Sequence, residues 1–381
     1  MDYLLSIVVP TKDRYFYLKY LIELVKSFDC DEIELIIQDN TYDNTEILDY
    51  LQSMDYPHLK YFHTKEQISV SDNSTKAILN STGEYVCFIG DDDGVTRYIV
   101  DAVKWMKKND YSILKSSLAI FKWPSFKSQK NYDVSSSVLF NTYKCVSRKV
   151  NCKDSLIKLL SSGIDSLVYM PKVYNGIVKR SILDKVYDIC GTYFPGPSPD
   201  MANAVALALM EDFYVFVDYP IIIGGHSSHL GGDAGRYRKG LGPLEEQPFI
   251  SEKYINGWSK EIPKVWASRT VWPESAITAL KAFNATEFID KINYNMLNKK
   301  FVESHPDYSH LLILTHTEIL KIKLVAKIKK FFSHFASIKY KFLFKHKHIY
   351  DHLHYYKGYS NIIEAESKIA NSVESFSDVF K

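Results

Sequence analysis

The chain has 381 residues, 46% of them hydrophobic, and 47 basic side chains nearly balance 45 acidic ones. This composition is ordinary for a soluble globular protein, and no nucleic-acid partner is expected from a net charge of +2. Five scattered cysteines without a C-x-x-C pair argue against a zinc site and a disulfide framework. Because neither a signal peptide nor a membrane-spanning run is apparent, a cytoplasmic location is expected.

The first 110 residues alternate strand-like apolar runs with helical patterns. The predicted strands are LLSIVV (4–9), EIELIIQD (32–39), LKYFHT (59–64) and EYVCFIG (84–90). The predicted helices lie near 18–25, 44–53, 72–80 and 96–108. This alternation indicates parallel βαβ units. The fold class is therefore predicted as α/β, with a Rossmann-like, mostly parallel sheet flanked by helices.

Polar residues follow three of these strands, at 10–13, at 39–40 and at 91–93. In open parallel sheets, ligands bind beyond the carboxyl ends of the strands. The group at 91–93 is three consecutive aspartates, which are rarely buried unless they are paired. The triplet is therefore either a solvated turn or a cation site, since Mg²⁺ binds one or two carboxylates together with substrate phosphates.

The rest of the chain is less regular. Residues 111–240 are aromatic and irregular, PGPSPDMANAVALALM (195–210) is a loop that leads into a helix, and 224–243 is a glycine-rich basic loop. Three regions are predicted: a catalytic domain at 1–245 with halves at 1–110 and 111–245, a helical connecting segment at 246–315, and a basic amphipathic helical region at 316–381.

Three segments resemble inverting glycosyltransferases of family 2, which have the GT-A fold: SIVVPTKDR (6–14), IELIIQDNTYDNT (33–45) and SVSDNSTKAILNSTGEYVCFIGDDDG (69–94). The similarity covers about the first 95 residues. It implies transfer of a hexosyl or N-acetylhexosaminyl group from a nucleotide-diphosphate sugar to a glycan or lipid-linked acceptor. It also implies a bacterial enzyme of surface-polysaccharide synthesis.

The resemblance also implies site residues. Asp93 falls at the metal-binding aspartate of the D-x-D motif, with Asp91 as a second ligand of Mn²⁺ or Mg²⁺. Asp39 falls where the family contacts the base, which favours a UDP-sugar. The full set implied for donor binding is Pro10, Thr11, Asp13, Asp39, Asn73, Asp91 and Asp92.

The sequence departs from the family pattern at three positions. Gln38 and Asn40 replace an aspartate and a glycine, and Asp72 stands where many members have arginine. The last change removes a positive charge near the expected diphosphate. The alternative contacts for the diphosphate are Lys12, Arg14, Arg236 and Arg238.

An inverting transfer needs a general base that deprotonates the acceptor hydroxyl. Asp200 is the candidate, because the family often places its base in a P-D or E-D element. A helix cap is the alternative role for Asp200. Asp212 and Asp165 rank second and third as candidate bases.

Two further groups have open roles. His226 and His229 lie in the glycine-rich loop, and His229 is a candidate third metal ligand because some GT-A enzymes use a C-terminal histidine. Trp258, Trp266 and Trp272 are expected to pack a small helical unit rather than stack on sugars.

The segment 318–348 contains nine lysines and one glutamate, with apolar residues on one helical stripe. This pattern favours an amphipathic helix on the inner face of the membrane, where lipid-linked acceptors lie. A partner-binding or internally packed helix is the alternative.

Other functions fit the sequence less well. A sugar nucleotidyltransferase normally has a G-x-G-x-R segment after the first strand, where this chain reads PTKDRYFY. The βαβ order and the modest length argue against a templated polymerase. A non-catalytic nucleotide-sugar-binding or scaffold protein stays open because of Asp72.

Overall fold

The computed structural model describes residues 3–127, 134–228, 241–247, 249–312, 317, 319–324 and 352–381. The strands in these ranges are β1 (Leu5–Thr11), β2 (Ile33–Asp39), β3 (Leu59–His63), β4 (Tyr85–Phe88), β5 (Gly94–Val95), β6 (Ile113–Lys122), β7 (Ser137–Asn141), β8 (Ser147–Asn151), β9 (Ile177–Lys179), β10 (Phe213–His226) and β11 (Leu353–Lys357).

The α-helices in the described ranges are α1 (Tyr15–Lys26), α2 (Thr45–Gln52), α3 (Val70–Leu79), α4 (Ile99–Lys108), α5 (Cys152–Ser161), α6 (Arg180–Cys190), α7 (Pro199–Met210), α8 (Glu252–Asn256), α9 (Ser268–Ala282), α10 (Tyr294–Ser304), α11 (Ile362–Ala370) and α12 (Phe376–Val379). Short 3₁₀ helices occupy Leu244–Glu246, Thr286–Lys291 and Pro306–Leu311.

The strands form one mixed sheet in the order β11-β7-β6-β9-β4-β1-β2-β3. β1 pairs in parallel with β2 and β4, and β2 with β3. β10 runs parallel to β6 and antiparallel to β5 and β8. Every residue of β2 is buried, as expected for a parallel strand covered on both faces. The predicted α/β fold is therefore confirmed.

Helices cover both faces of the sheet. On one face, α1 and α4 contribute Leu21 and Met106 to a core that includes the apolar side chains of β1 and β2. On the other face, α5, α7 and α9 pack together through Leu156, Val205 and Leu280. Because α9 lies in the predicted connecting segment 246–315, that segment contributes directly to the core of the sheet.

Residues 352–381 pack against the same sheet. β11 adds an antiparallel strand beside β7, and Ile362 and Phe376 are fully buried in two of the hydrophobic cores. The Arg97 guanidinium pairs with Glu366 at 2.7 Å. The last part of the predicted region 316–381 therefore packs as part of the central sheet.

The predicted amphipathic helix 318–348 is described only at 319–324, which are helical. The remainder of that prediction lies outside the described residues. Within the part of the chain that the structure covers, no helix is long and apolar enough to cross a membrane.

Candidate functional site

The carboxyl ends of β1, β2 and β4 meet at one edge of the sheet. The Thr11 hydroxyl, at the end of β1, donates to Asp91 Oδ2 at 2.7 Å. The Asn40 N–H, just past β2, donates to the Thr11 carbonyl at 3.0 Å. The three polar groups that follow the predicted strands are therefore joined by hydrogen bonds at the edge where ligands bind in open parallel sheets.

The acidic triplet is buried and held by a cation of the protein itself. Asp91, Asp92 and Asp93 are only 3–5% exposed, which excludes a solvated turn. Arg14 Nε lies 2.6 Å from Asp91 Oδ1, and Arg14 Nη2 lies 2.8 Å from Asp92 Oδ2. Because its guanidinium is engaged by these two carboxylates, Arg14 is poorly placed to be the expected diphosphate contact.

Residues at the end of β10 complete the enclosure. The Ser227 hydroxyl donates to Asp92 Oδ2 at 2.7 Å. The Gly225 N–H donates to Asp93 Oδ1 at 2.7 Å, and a Cβ at Gly225 would lie 1.6 Å from the Asp92 carbonyl oxygen. Only glycine therefore permits this close approach.

Asp93 accepts two more hydrogen bonds at its other oxygen. The Gly90 N–H and the Tyr174 hydroxyl donate to Asp93 Oδ2 at 2.9 and 3.0 Å. Burial, reinforced by the charge of Asp92, nevertheless raises the pKa of Asp93 to about 7. Burial likewise raises the pKa of Asp91 to about 6, although Arg14 opposes the shift. The single guanidinium of Arg14 therefore does not neutralise all of the negative charge of the triplet.

Carboxylate oxygens border the space beside Gly90. A Cβ at Gly90 would lie 3.2 Å from Asp93 Oδ2 and 3.4 Å from both Asp92 Oδ1 and the Tyr174 hydroxyl. Two carboxylate oxygens therefore face one small space next to the residue without a side chain. Mg²⁺ suits such a site because it takes one or two carboxylates and completes its shell with phosphates and water.

The predicted metal ligands differ in how they are placed. Both oxygens of Asp91 bind Thr11 and Arg14, so Asp92 faces this space better than Asp91 does. Among the described residues, no group of three histidine, cysteine or acidic side chains is arranged to hold a metal ion. His229 lies outside the described residues, whereas His226 ends β10 next to Gly225.

Asp39, the predicted base contact, lies inside a network of hydroxyl groups. Its Oδ2 accepts from the Tyr15 and Tyr61 hydroxyls at 2.6 and 2.8 Å, and its Oδ1 accepts from the Thr41 N–H at 2.8 Å. The side chain is completely buried. In this structure the carboxylate thus holds β2, β3 and the start of α1 together, and its contact with a base stays a prediction.

Two other residues that are predicted to bind the sugar-nucleotide donor border the same edge of the sheet. Asp13 is exposed with φ of 58°, and its N–H donates to the Thr41 hydroxyl at 2.8 Å. Pro10 occupies the second-last position of β1, where it is half-buried. Both residues therefore lie where the sheet edge reaches solvent.

The start of α3 explains the unusual Asp72. The Ser69 hydroxyl donates to Asp72 Oδ2 at 2.6 Å and accepts from the Asp72 N–H at 3.1 Å. A carboxylate in the first turn of a helix is favoured by the helix dipole. Beside it, Asn73 is buried, and its Oδ1 has no hydrogen-bond partner among the described residues. An acceptor without a partner is consistent with the predicted contact of Asn73 with the nucleotide-sugar donor.

Asp200 lies in the first turn of α7, whose N-cap is Ser198. The structure shows no side-chain cap bond at this helix, so capping does not explain Asp200. Burial raises the pKa of Asp200, and the nearby Lys172 partly offsets the shift. A carboxylate with a raised pKa is suited to accept a proton near neutral pH.

The other candidate bases lie elsewhere. Asp212 follows α7 at the end opposite Asp200, and a helix of this length spans about 18 Å. Asp165 pairs with Lys300 and, at 3.9 Å, with Arg269. Both carboxylates are therefore poor candidates for the base.

Sequence reasoning missed Lys172, Tyr174 and Ser227, which the fold brings to the site from positions 79 or more residues beyond Asp93. Their segments carry no family motif that the sequence analysis identified. The three tryptophans agree with the packing interpretation. Trp258 and Trp272 pack against the core beneath α7, and the Trp266 ring meets that of Phe249 edge to face.

Residues 6–194 match the family model for glycosyl transferase family 2. The matched segment contains the acidic triplet and the strands that converge on it. This part of the chain is therefore similar to glycosyl transferase family 2. No curated protein matches the chain.

Several solved structures are similar to the chain at low identity. The crystal structure of Staphylococcus aureus TarS is 14% identical, with a TM-score of 0.41, and the match covers 82% of this chain and 50% of TarS. TarS 1–349 in complex with UDP-GlcNAc is 15% identical, covering 81% and 84%, with a TM-score of 0.42.

A third structure is the mannosyltransferase PcManGT from Pyrobaculum calidifontis in complex with GDP-Man and Mn²⁺. It is 15% identical and has a TM-score of 0.38, and the match covers 87% of this chain and 88% of that one. Likeness of this degree does not establish a function, which has to be argued from the site itself.

Proposed function

We propose that the protein is an inverting, metal-dependent glycosyltransferase. It moves a hexosyl or N-acetylhexosaminyl group from a nucleotide-diphosphate sugar, with UDP favoured, to a glycan or lipid-linked acceptor. The observation that carries the proposal is the buried acidic triplet at the carboxyl edge of a domain similar to family 2, with the raised-pKa carboxylate of Asp200 near it.

The reaction is a single displacement. Asp200 accepts the proton of the acceptor hydroxyl while the acceptor oxygen attacks the anomeric carbon of the donor. The bond between that carbon and the diphosphate oxygen breaks, and the nucleoside diphosphate leaves with the bonding electrons. Attack from the face opposite the leaving group inverts the configuration of the sugar.

The protein holds the triplet ready for this chemistry. Arg14 and Ser227 orient Asp91 and Asp92, while two backbone N–H groups and Tyr174 orient Asp93. Mn²⁺ or Mg²⁺ on Asp92 and Asp93 would supply positive charge beside the departing diphosphate. Groups fixed before the reaction need no reorganisation as charge develops.

A role in bacterial surface-polysaccharide synthesis is part of the proposal. The lysines of segment 318–348 would bring the enzyme to anionic lipids on the cytoplasmic face of the membrane, where a lipid-linked acceptor lies. The catalytic domain is proposed to extend over 1–245. Because β11 pairs with β7 of this domain, the proposed catalytic domain also includes the C-terminal strand.

The test is to follow the anomeric proton of the sugar by NMR after incubation with α-linked UDP-sugars and Mn²⁺, first with water as acceptor. The proposal predicts a β-anomer as the first product, and its loss in Asp200→Asn. Release of the α-anomer would contradict the inverting mechanism. Binding of UDP without any turnover would favour the non-catalytic binding protein.

A further inference from the structure

A short segment connects the acidic triplet to the helix that bears Asp200. The Asn175 N–H donates to the Phe88 carbonyl at 2.8 Å, which attaches the segment to the end of β4. One residue earlier, the Tyr174 hydroxyl donates to Asp93 Oδ2 at 3.0 Å. The Val173 N–H donates to Asn203 Oδ1 at 3.0 Å, on α7. The segment 172–175 is thus bound both to the acidic triplet and to α7, the helix that bears Asp200.

Lys172 begins this segment, and its ammonium lacks a bonded partner. Among the described residues it makes no hydrogen bond or ion pair, and its Nζ lies 5.7 Å from the centre of the Tyr174 ring. The neighbouring Lys115 is different, because its Nζ donates to the carbonyls of Leu167, Val168 and Met170 at 2.7–3.0 Å. Lys115 is therefore satisfied by the protein, whereas Lys172 is not.

The charges around Lys172 are those of the site. Burial lowers the pKa of Lys172, while Asp200 and Asp93 both act to raise it. The ammonium therefore lies within the electrostatic reach of the candidate base and of a triplet carboxylate, without a close ion pair to either. An unpaired, partly buried cation is costly unless an anionic ligand completes it.

The donor diphosphate supplies such an anion, and Arg14, the described cation that contacts the triplet, is already committed to it. Arg14 is bound to Asp91 and Asp92. Asp72, which replaces the usual arginine, is engaged with Ser69 at the start of α3. Lys172 is the described cation that stays without an ion pair between the triplet and α7.

We infer that Lys172 binds the diphosphate of the donor and fixes it between Asp93 and Asp200. This inference rests on the proposed function and adds a residue to the donor site. A lysine suits the role because its ammonium is a point charge whose three N–H groups can donate to phosphate oxygens in several directions. Once the diphosphate has left, the same ammonium stabilises the charge that has developed on it.

The experiment compares Lys172→Met with Lys179→Met by calorimetry, using UDP, UMP and uridine in the presence of Mn²⁺. Lys179 is the matched control, since it pairs at 3.3 Å with the exposed Asp110 on the surface. Loss of one charge-assisted contact predicts at least tenfold weaker UDP binding in Lys172→Met. Uridine binding should not change, and Lys179→Met should behave as the wild type.

A second readout separates this role from a purely structural one. Lys172 lowers the pKa of Asp200, so Lys172→Gln should move the acidic limb of the pH–rate profile to higher pH. Lys172→Arg should restore part of the UDP affinity. Lys172→Gln also serves as the binding variant if the methionine variant does not fold.

The outcomes are distinct. UDP affinity in Lys172→Met and Lys172→Gln equal to that of Lys179→Met would overturn the inference while leaving the proposed function intact. If the wild-type protein binds no nucleoside diphosphate at all, the proposed function fails first. Equally weakened binding of UDP and uridine in Lys172→Met would also overturn the inference, because a contact with the diphosphate affects UDP and leaves uridine unchanged.

Discussion

Replacing Arg14 with methionine tests whether one guanidinium holds the acidic triplet together. The substitution keeps an apolar stem and removes the contacts with Asp91, Asp92 and Ser227. The Arg14 side chain is 14% exposed, and the two carboxylates are 5% and 7% exposed. Removing one partner of such a buried pair costs about 3–5 kcal/mol, because the remaining charges stay buried without compensation.

The pKa of Asp91 determines how the stability cost of Arg14→Met changes with pH. The folded-state pKa of Asp91 is raised to about 6, so this carboxyl binds a proton more strongly in the folded protein than in the unfolded chain between roughly pH 4 and 6. The contribution of Asp91 to the free energy of unfolding therefore falls as the pH rises through that window. Arg14 acts to lower this pKa, so its loss extends the fall to higher pH. We expect Arg14→Met to cost more at pH 8 than at pH 5.

The assay is urea unfolding followed by tryptophan fluorescence at both pH values. Lys19→Met is the control, since Lys19 pairs with Glu46, which is 64% exposed, and such surface pairs contribute about 0–1 kcal/mol. A cost for Arg14→Met no larger than for Lys19→Met would refute the account. A large cost that is the same at pH 5 and pH 8 would show that packing, and not charge, is what Arg14 supplies.

Three other predictions follow from the site and the fold. Asp200→Asn should reduce turnover by at least a hundredfold while UDP affinity changes less than twofold, because the general base does not bind the donor; weakened UDP binding in calorimetry would contradict this role. Phe376→Ala should lower the free energy of unfolding by about 3–5 kcal/mol in urea titrations, because this fully buried ring lies in the core under α4; the exposed Phe16 is the control, and equal effects would contradict the integration of the C-terminus. Mn²⁺ should raise the melting temperature more at pH 8 than at pH 5.5, because the metal competes with the proton that Asp93 binds with a pKa of about 7; equal shifts at both pH values would argue against Asp93 as a ligand.

The part of the fold that sequence reasoning predicted well is the part built from local patterns. β1, β2 and β4 are buried apolar runs that end in polar turns, so their directions and the meeting of Thr11 with Asp91 follow from the parallel βαβ order. The position of Asp91–Asp93 at the sheet edge followed in the same way. The local pattern could not predict whether these aspartates are solvated or buried, because their burial depends on elements far away in the chain.

The contacts that were not predicted are long-range. Ser227 reaches Asp92 across 135 positions, and Tyr174 reaches Asp93 across 81. Such pairings are set by how β10 and the segment 172–175 pack onto the sheet, and no local periodicity reports them. Arg14 was recognised as a cation near the site, but its choice of carboxylates over a diphosphate depends on side-chain geometry. β11 was missed because its strand partner, β7, lies in the irregular region.

The most direct test of the account is calorimetric titration of the wild-type protein and Asp93→Ala with UDP, GDP and dTDP, each with and without Mn²⁺. The account predicts that UDP binds in the presence of Mn²⁺ and that Asp93→Ala abolishes the metal-dependent part of this affinity. Nucleotide affinity that is the same with and without Mn²⁺, and unchanged in Asp93→Ala, would contradict a metal-assisted donor site at the acidic triplet.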